Sequence, residues 1–448
     1  MNDILSSPWI PTGFFGYLVL AAHIQQESWI APSVFAPLAW LFYILVPLVV
    51  APEYRISALA VWLVLLLIAS VTLGAMIAEG RRSGVFAVSA DHFSRLSVPR
   101  LLRWTLLLNA LSFAGALYAA AKAVNDYGLG FSFPELMSVG HLLSVERYGG
   151  EQTPALVRLL VTWTFPAALL AGISYVLARS RRERILCFSV LLPALTFSVV
   201  QAAKANTLIA AALATGGYLA TRVMLGTDRF RPVSKRTLLL LATAIVASLL
   251  LFLTVDLFRT YRENDQPAAA MEVDWGRIKS ATVGYLAVFS HWVDKPEGLN
   301  SAHLDMGVYT FGGLFDAVGL HPRQIGVYDE MVTLDADDHY SNIYTAFRGL
   351  IQDFSLPGAV AICFLIGYIS GFAFNMGRRG HAWALVTLAA FYSFMIWSPI
   401  VSVFVYNGPI LAIGVAAVLL RKASRKTCRP RVEPGILQFE YFMIRRQN

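Results

Sequence analysis

The sequence predicts an all-α polytopic integral membrane protein with about 11 transmembrane helices (range about 10–12) and one large extramembrane loop. Three observations predict it. Hydrophobic residues make up 57% of the 448-residue chain and charged residues only 14%, whereas a soluble domain has about 25% charged residues. The mean hydropathy is +0.59. Several apolar runs reach about 20 residues, the length a helix needs to cross a hydrocarbon core.

Taken in order, spanning segments are expected at 30–51, 57–78, 101–123, 156–178, 185–203, 206–224, 237–258, 356–376, 382–398 and 401–420. Each must be helical, because lipid offers no partner to a free backbone N–H or C=O. Barrel strands alternate in polarity and do not make continuous apolar runs, so a barrel is excluded. An earlier run, Trp9 to His23, is shorter and contains Pro11 and Gly13. It is expected as an eleventh span, with a re-entrant or interfacial helix as the alternative. The N-terminus has no basic region followed by a small-residue cleavage site, so no cleavable signal peptide is expected.

Orientation follows from the short basic loops. Segments 79–100, 179–184, 228–236, 377–380 and the tail after Leu420 hold roughly 22 of the 36 Lys and Arg residues. Threading the ten helices places all five on one side, which the positive-inside rule assigns to the cytoplasm, together with the C-terminus. The net charge of +8 is thereby explained by topology and anionic lipid, and implies no nucleic-acid partner. The chain divides into an N-terminal helix bundle (1–258), a large loop (259–355), C-terminal spans (356–420) and a basic tail (421–448).

The loop 259–355 carries twice as many acidic as basic residues. It contains two apolar stretches too short to span, 280–294 and 309–320, expected as helices lying on the membrane face. A flexible tether would lack such aromatic and Leu density. No internal repeat is evident, which weighs against an inverted-repeat transporter. The three cysteines, Cys187, Cys363 and Cys428, suggest no disulfide framework.

No HExxH, paired CxxC, Walker A or GxGxxG signature occurs, so no metal, cofactor or nucleotide chemistry is expected. Asp335, Asp337 and Asp338 form a short acidic run. It offers oxygen ligands to a cation, but such a run is more often a solvated loop. Lys204 lies between two paired helices, among Ala202, Ala203 and Ala205. It either snorkels to the interface or serves as a fixed cation for an anionic substrate. Arg259 and Arg262, three residues apart, are either interface anchors or a phosphate clamp. His339 is either a solvated loop histidine or a general base, its ordinary pKa near 6.5 suiting proton abstraction at neutral pH. His291, His303 and His321 share the loop but lack such a polar setting. Asn342, Tyr344, Arg348 and Asp353 follow His339. An Arg348–Asp353 pair is one expectation. Ser355 and Pro357 suggest the N-cap and first turn of the next span.

The stretch "NIYTAFRGLIQDFSLPG" (342–358) resembles a segment of bacterial oligosaccharide repeat-unit polymerases, the O-antigen polymerase (Wzy) type. There the pattern is N-x-Y-T, about eight residues, then D-F-G-x-x-G before a span. Asn342, Tyr344, Thr345, Asp353, Phe354 and Gly358 match, and Ser355 stands where Gly is usual. His339 resembles the loop histidine of the related O-antigen ligases, and Lys204 with Asn206 stands where those families often carry Ser-Arg-Gly. The layout of ten to twelve helices and one large outer loop agrees over most of the chain.

The resemblance implies a GT-C-like glycosyltransferase of the bacterial inner membrane whose large loop is periplasmic. Its substrates would be undecaprenyl-diphosphate-linked oligosaccharides, and a chain-length-regulating co-polymerase would be a partner. His339 would be the base, oriented by Asp337 or Asp338. Lys204, Arg259, Arg262 and Arg348 would hold the diphosphate, while Asn342, Tyr344 and Asp353 would orient sugar or loop. The neighbouring alternatives are an O-antigen ligase and a polyprenyl-phosphate-sugar glycosyltransferase; from another class, a lipid-linked glycan flippase or an accessory subunit without chemistry of its own.

Overall fold

The computed structural model describes residues 7–80, 96–128, 135, 142–143, 154–201, 203–227, 253–254, 274–295, 297–299, 304–321 and 328–423. In chain order the helices are α1 (Trp9–Gln26), α2 (Pro32–Val50), α3 (Ala58–Glu79), α4 (Val98–Asp126), α5 (Ala155–Thr162), α6 (Thr164–Leu177), α7 (Arg181–Phe188), α8 (Leu191–Val200) and α9 (Ala205–Met224). Then come α10 (Trp275–Val283), α11 (Tyr285–Asp294) and α12 (Val308–Ala317). A small hairpin, β1 (Val332–Thr333) and β2 (Tyr340–Ser341), precedes α13 (Ala346–Arg378), α14 (Ala382–Trp397), a 3₁₀ turn (Val403–Val405) and α15 (Asn407–Ala423). Among the described residues, seven helical segments are long and apolar enough to cross a membrane: α2, α3, α4, α5–α6, α7–α8, α9 and α13.

The expected spans correspond to these helices with local corrections. The 156–178 run is interrupted at Trp163, and the 185–203 run starts earlier, at Arg181, and is interrupted at Ser189–Val190. The 382–398 and 401–420 runs become shorter helices of 16 and 17 residues. Most of the 237–258 run lies outside the described residues. The Trp9 run is an 18-residue helix, about 27 Å long at 1.5 Å per residue. Phe14 of α1 packs on Trp62 near the start of α3, ring centroids 5.3 Å apart. Gln26 at the end of α1 donates to the Gly80 carbonyl just after α3. The two helices therefore run parallel along most of their length.

Local chemistry sets several ends. The Ser57 hydroxyl caps α3 by accepting from Ala60 N–H, and Gly80 stops it at φ 68°. Ser180 and Glu183 form a reciprocal capping box on α7, satisfying donors that the helix cannot. Pro32 begins α2, where its missing N–H costs nothing.

Small residues bring the backbones together. α13 carries Gly367 and Gly371, four apart, against Val71 and Ala75 of α3; a Cβ at Gly367 would enter the Val71 carbonyl. Gly74 of α3 reciprocates against Phe364. This is the GxxxG arrangement by which apolar helices gain contact when lipid is as apolar as their side chains. Gly172 of α6 and Gly216 and Gly217 of α9 do the same among α6, α9 and α14.

Two ends of the bundle can be told apart. At one, Asn375 donates to the carbonyls of Ala78 and Glu79, each at 2.9 Å. The Glu79 carboxylate accepts from the backbone and hydroxyl of Ser33. Ser97 N–H reaches the Ala423 carbonyl at 3.1 Å, and Gly377 lies near Val223 and Ala384. The described ends of α3, α9, α13 and α15, which the basic segments follow in sequence, thus lie at one end of the bundle.

At the opposite end sit the described residues of 274–345. Ser57 N–H donates to Ser290 Oγ at 3.1 Å, the Tyr285 hydroxyl reaches the Tyr43 carbonyl, and Lys279 pairs with Glu53. The two stretches expected to lie flat differ. α11 is buried from Tyr285 to Ser290 and at Trp292 and Val293, with only His291 and Asp294 exposed. α12 keeps Leu314 exposed, with Val318 and Leu320 beyond it, while Gly313 lets it approach the backbone of Tyr406 and Asn407. The hairpin was not expected.

Candidate functional site: the His339 hairpin and the Arg348 cage

The polar stretch 335–353 folds into two linked clusters, one at the tip of the hairpin and one at its base. The strands pair Val332 with Ser341 and Thr333 with Tyr340, and Leu334 N–H closes the loop on the His339 carbonyl at 2.8 Å. Asp335 organises the tip. Its Oδ1 accepts from the N–H groups of Asp337 at 3.2 Å and His339 at 3.1 Å, the local turn chemistry available to Asp. Asp338 takes the left-handed conformation, φ 58°, which reverses the chain.

The imidazole of His339 then lies between two carboxylates. Nδ1 is 3.0 Å from both oxygens of Asp335, and Nε2 is 3.1 Å from Oδ1 of Asp274. Asp274 is also the N-cap of α10, accepting from Arg277 N–H at 2.9 Å. The ring rests on Gly276 in the first turn of α10, where a Cβ would collide with the ring atoms. Burial works against a charged imidazole, but hydrogen bonding and charge from Asp335, then Asp274, outweigh it and raise the His339 pKa above its ordinary value. Burial likewise pushes Asp335 up, but the His339 N–H and ring more than offset it, leaving that carboxyl below its usual range.

This corrects the expected orienting group. The carboxylates against the ring are Asp335 and Asp274, not Asp337 or Asp338. The reason is steric: Asp335 opens the turn and faces back across it, whereas Asp337 and Asp338 sit on its outer bend and are exposed. Donor atoms of Asp335, Asp337 and His339 lie within 4.8 Å of one another. With Nδ1 committed to Asp335, the group is an ion-paired turn.

At the hairpin base, Asn342 donates to the Tyr328 carbonyl at 3.0 Å and fixes the strand entry. Tyr344 and Tyr328 enclose the Arg348 guanidinium, whose central carbon is 3.9 Å and 4.1 Å from their ring centroids, with Trp292 at 5.5 Å. Tyr309 stacks on Tyr328 at 5.4 Å. Arg348 Nη1 donates to Glu330 at 3.2 Å and Nε to Gln352 at 3.3 Å. Glu330 also pairs with Lys295. Burial raises its carboxyl, but the Lys295 hydrogen bond and the Arg348 charge bring it below the usual value.

The expected Arg348–Asp353 pair does not form. Asp353, fully buried, accepts from Tyr309 N–H at 3.1 Å and Thr310 N–H at 2.7 Å. It satisfies free donors at the start of α12, where a carboxylate also complements the helix dipole. The next span does begin at Ser355, as expected: with φ 61°, ψ 171° it breaks α13 into 346–354, which carries Arg348 and Asp353, and the apolar remainder with Pro357 in its first turn. Among the described residues its side chain makes no capping hydrogen bond, so only its position is that of a cap.

Lys204 occupies the turn between α8 and α9, directly before Ala205 and partly exposed. Close by, Ser198 Oγ bonds Thr207 through its N–H and hydroxyl. Arg259, Arg262 and His303 lie outside the described residues.

Asp274, Gly276, Glu330 and Tyr328 were not singled out from sequence. Asp274 was readable as an N-cap before the Trp275–Gly276 turn, but not as a partner of His339. Compared with known protein families, curated proteins and solved structures, the chain matches none of them.

Proposed function

We propose that this chain is a GT-C-like membrane glycosyltransferase that polymerises undecaprenyl-diphosphate-linked oligosaccharide repeat units. It works at the periplasmic face of the bacterial inner membrane, with 274–345 outside, the C-terminus cytoplasmic and about 11 spans. One observation carries the reading. A histidine oriented by a carboxylate stands on a hairpin that leads directly into a membrane helix, at the end of the bundle opposite the helix ends that the basic segments follow in sequence. A base placed there meets substrates borne by lipid rather than a cytoplasmic nucleotide sugar.

In this mechanism His339 Nε2 takes the proton of the acceptor hydroxyl, and Asp335 on Nδ1 stabilises the imidazolium that forms. The acceptor oxygen forms the new bond to the anomeric carbon of the growing chain. The bond from that carbon to the lipid diphosphate breaks, and the diphosphate leaves with the electron pair. Its charge would be met by fixed cations, Lys204, Arg259 and Arg262, worth several kcal/mol in a water-poor site. Arg348, boxed by tyrosines and paired with Glu330, holds the hairpin base in register. Asn342, Tyr344 and Asp353 support the same base and α12. A co-polymerase would set chain length.

The test is the surface-polysaccharide gel profile of the host after deletion of the gene, complemented with wild type or His339→Ala. Glycans stopping at one repeat, restored to a ladder by wild type alone, support the reading. A ladder from His339→Ala removes this histidine from the chemistry. Full-length polymer lacking attachment to lipid A core indicates a ligase, and repeats trapped at the cytoplasmic face indicate a flippase.

A further inference from the structure

A neutral imidazole has one N–H to donate and an imidazolium has two. His339 faces a carboxylate at each nitrogen, Asp335 at Nδ1 and Asp274 at Nε2. A neutral ring would satisfy one of them and turn a lone pair on the other. Both contacts coexist only when the ring is charged. The two carboxylates are not equivalent. Asp335 belongs to the same turn and is tied there by two backbone N–H groups. Asp274 comes from α10, 65 residues away in sequence, and its side chain is 49% exposed. Its contact is the one that can part.

The charged surroundings favour the proton. The hairpin contributes Asp335, Asp337 and Asp338. α10 contributes Asp274, Arg277 and Lys279, and Lys279 is paired with Glu53 of the 51–57 turn, over the ring of Tyr54. Around the imidazole the acids outnumber the bases.

We propose that the Asp274–His339 contact is a proton-held latch, which closes the hairpin 332–341 on α10 and covers Nε2 while His339 is charged, and opens when the ring loses its proton. The sign follows from linkage. The folded-state pKa is raised, so the closed form is fully favoured below the ordinary value near 6.5 and loses that advantage as pH rises through the raised value. Gly276 makes the closure possible, since any side chain there would hold the ring off α10. The latch stands apart from the glycosyl-transfer reading, because its readout is structural. Where that reading holds, the latch keeps the base occupied until Asp274 yields its place to an acceptor hydroxyl.

The experiment is amide hydrogen exchange of the full chain in lipid nanodiscs from about pH 5.5 to about pH 9, scaled to an unstructured control peptide. In wild type, protection of 332–341 and 275–283 is expected to fall together with rising pH, by at most about tenfold per pH unit within the window. In Asp274→Asn the amide oxygen still caps α10, but the negative charge that holds the imidazolium is gone. Protection in this variant is expected to stay level within about twofold across the range. His339→Gln, which has no proton to lose, is expected to be level as well. Flat wild-type protection overturns the latch, as does an Asp274→Asn profile that falls with wild type. The Asp274→Asn comparison decides even where His339→Gln does not accumulate.

Discussion

Ser355→Gly is expected to stabilise the protein, and the structure says by how much. At φ 61°, ψ 171° Ser355 occupies a region essentially confined to glycine, where other residues carry about 1–3 kcal/mol of strain. Glycine removes that strain and gives back about 0.4–1 kcal/mol through a freer unfolded chain. Among the described residues no hydrogen bond is made by the Ser355 side chain, so none is lost. The net gain is about 1 kcal/mol, which for a chain of this length corresponds to an upward shift of about 1–2 °C. Thermal unfolding of purified protein in detergent measures it, with Ser355→Ala as the control. Alanine also loses the hydroxyl but keeps the Cβ, so it is expected to match wild type within about 0.5 kcal/mol. A glycine variant less stable than wild type, or an alanine variant as stable as glycine, would refute the argument from backbone strain.

Two further substitutions address the packing around the site and between the spans. Arg348→Lys keeps the charge but loses the planar group between Tyr328 and Tyr344 and its fit to Glu330; a loss of about 1–2 kcal/mol is expected in the same unfolding assay, and an unchanged midpoint would show that the cage contributes nothing. Gly367→Ala drives a Cβ into the Val71 carbonyl and is expected to cost about 3 kcal/mol and lower the yield of folded protein. Gly414→Ala, with nothing within 4 Å of the new Cβ, is expected to be neutral or to stabilise by up to about 1 kcal/mol. Equal behaviour of the two alanines would rule out close backbone approach as the cause.

What the sequence disclosed depended on range. Long apolar runs name themselves, because each helix satisfies its own backbone and the lipid sets its length; α2, α3, α9 and α13 lie where the composition placed them. The local polar stretch was also visible, including His339, Asn342, Tyr344, Arg348 and Asp353. Their partners were not. Arg348 turns to Glu330, 18 residues away, and Asp353 to Tyr309 and Thr310, 44 and 43 away, distances that no periodicity encodes. The replacement of Asp337 or Asp338 by Asp335 at the imidazole is a matter of turn geometry, decided by which aspartate opens the loop. The resemblance at 342–358 flagged Ser355 as departing from a glycine. The structure supplies a backbone reason why glycine suits that position.

The carboxylate of Asp353 has a consequence for how the segment outside the spans is closed. Residues 259–355 contain no cysteine, and Cys187 and Cys363 are free and buried in helices. A covalent bridge across a loop of about 40 residues would remove roughly 3–5 kcal/mol of loop-closure entropy from the unfolded chain. Here non-covalent cross-links span comparable loops: Asp353 to the start of α12, and His339 to Asp274. Each forms and breaks without an oxidant. The segment therefore reaches its closed shape independently of thiol chemistry and is indifferent to reducing agents. What it answers to is the charge on a few carboxylates and one imidazole.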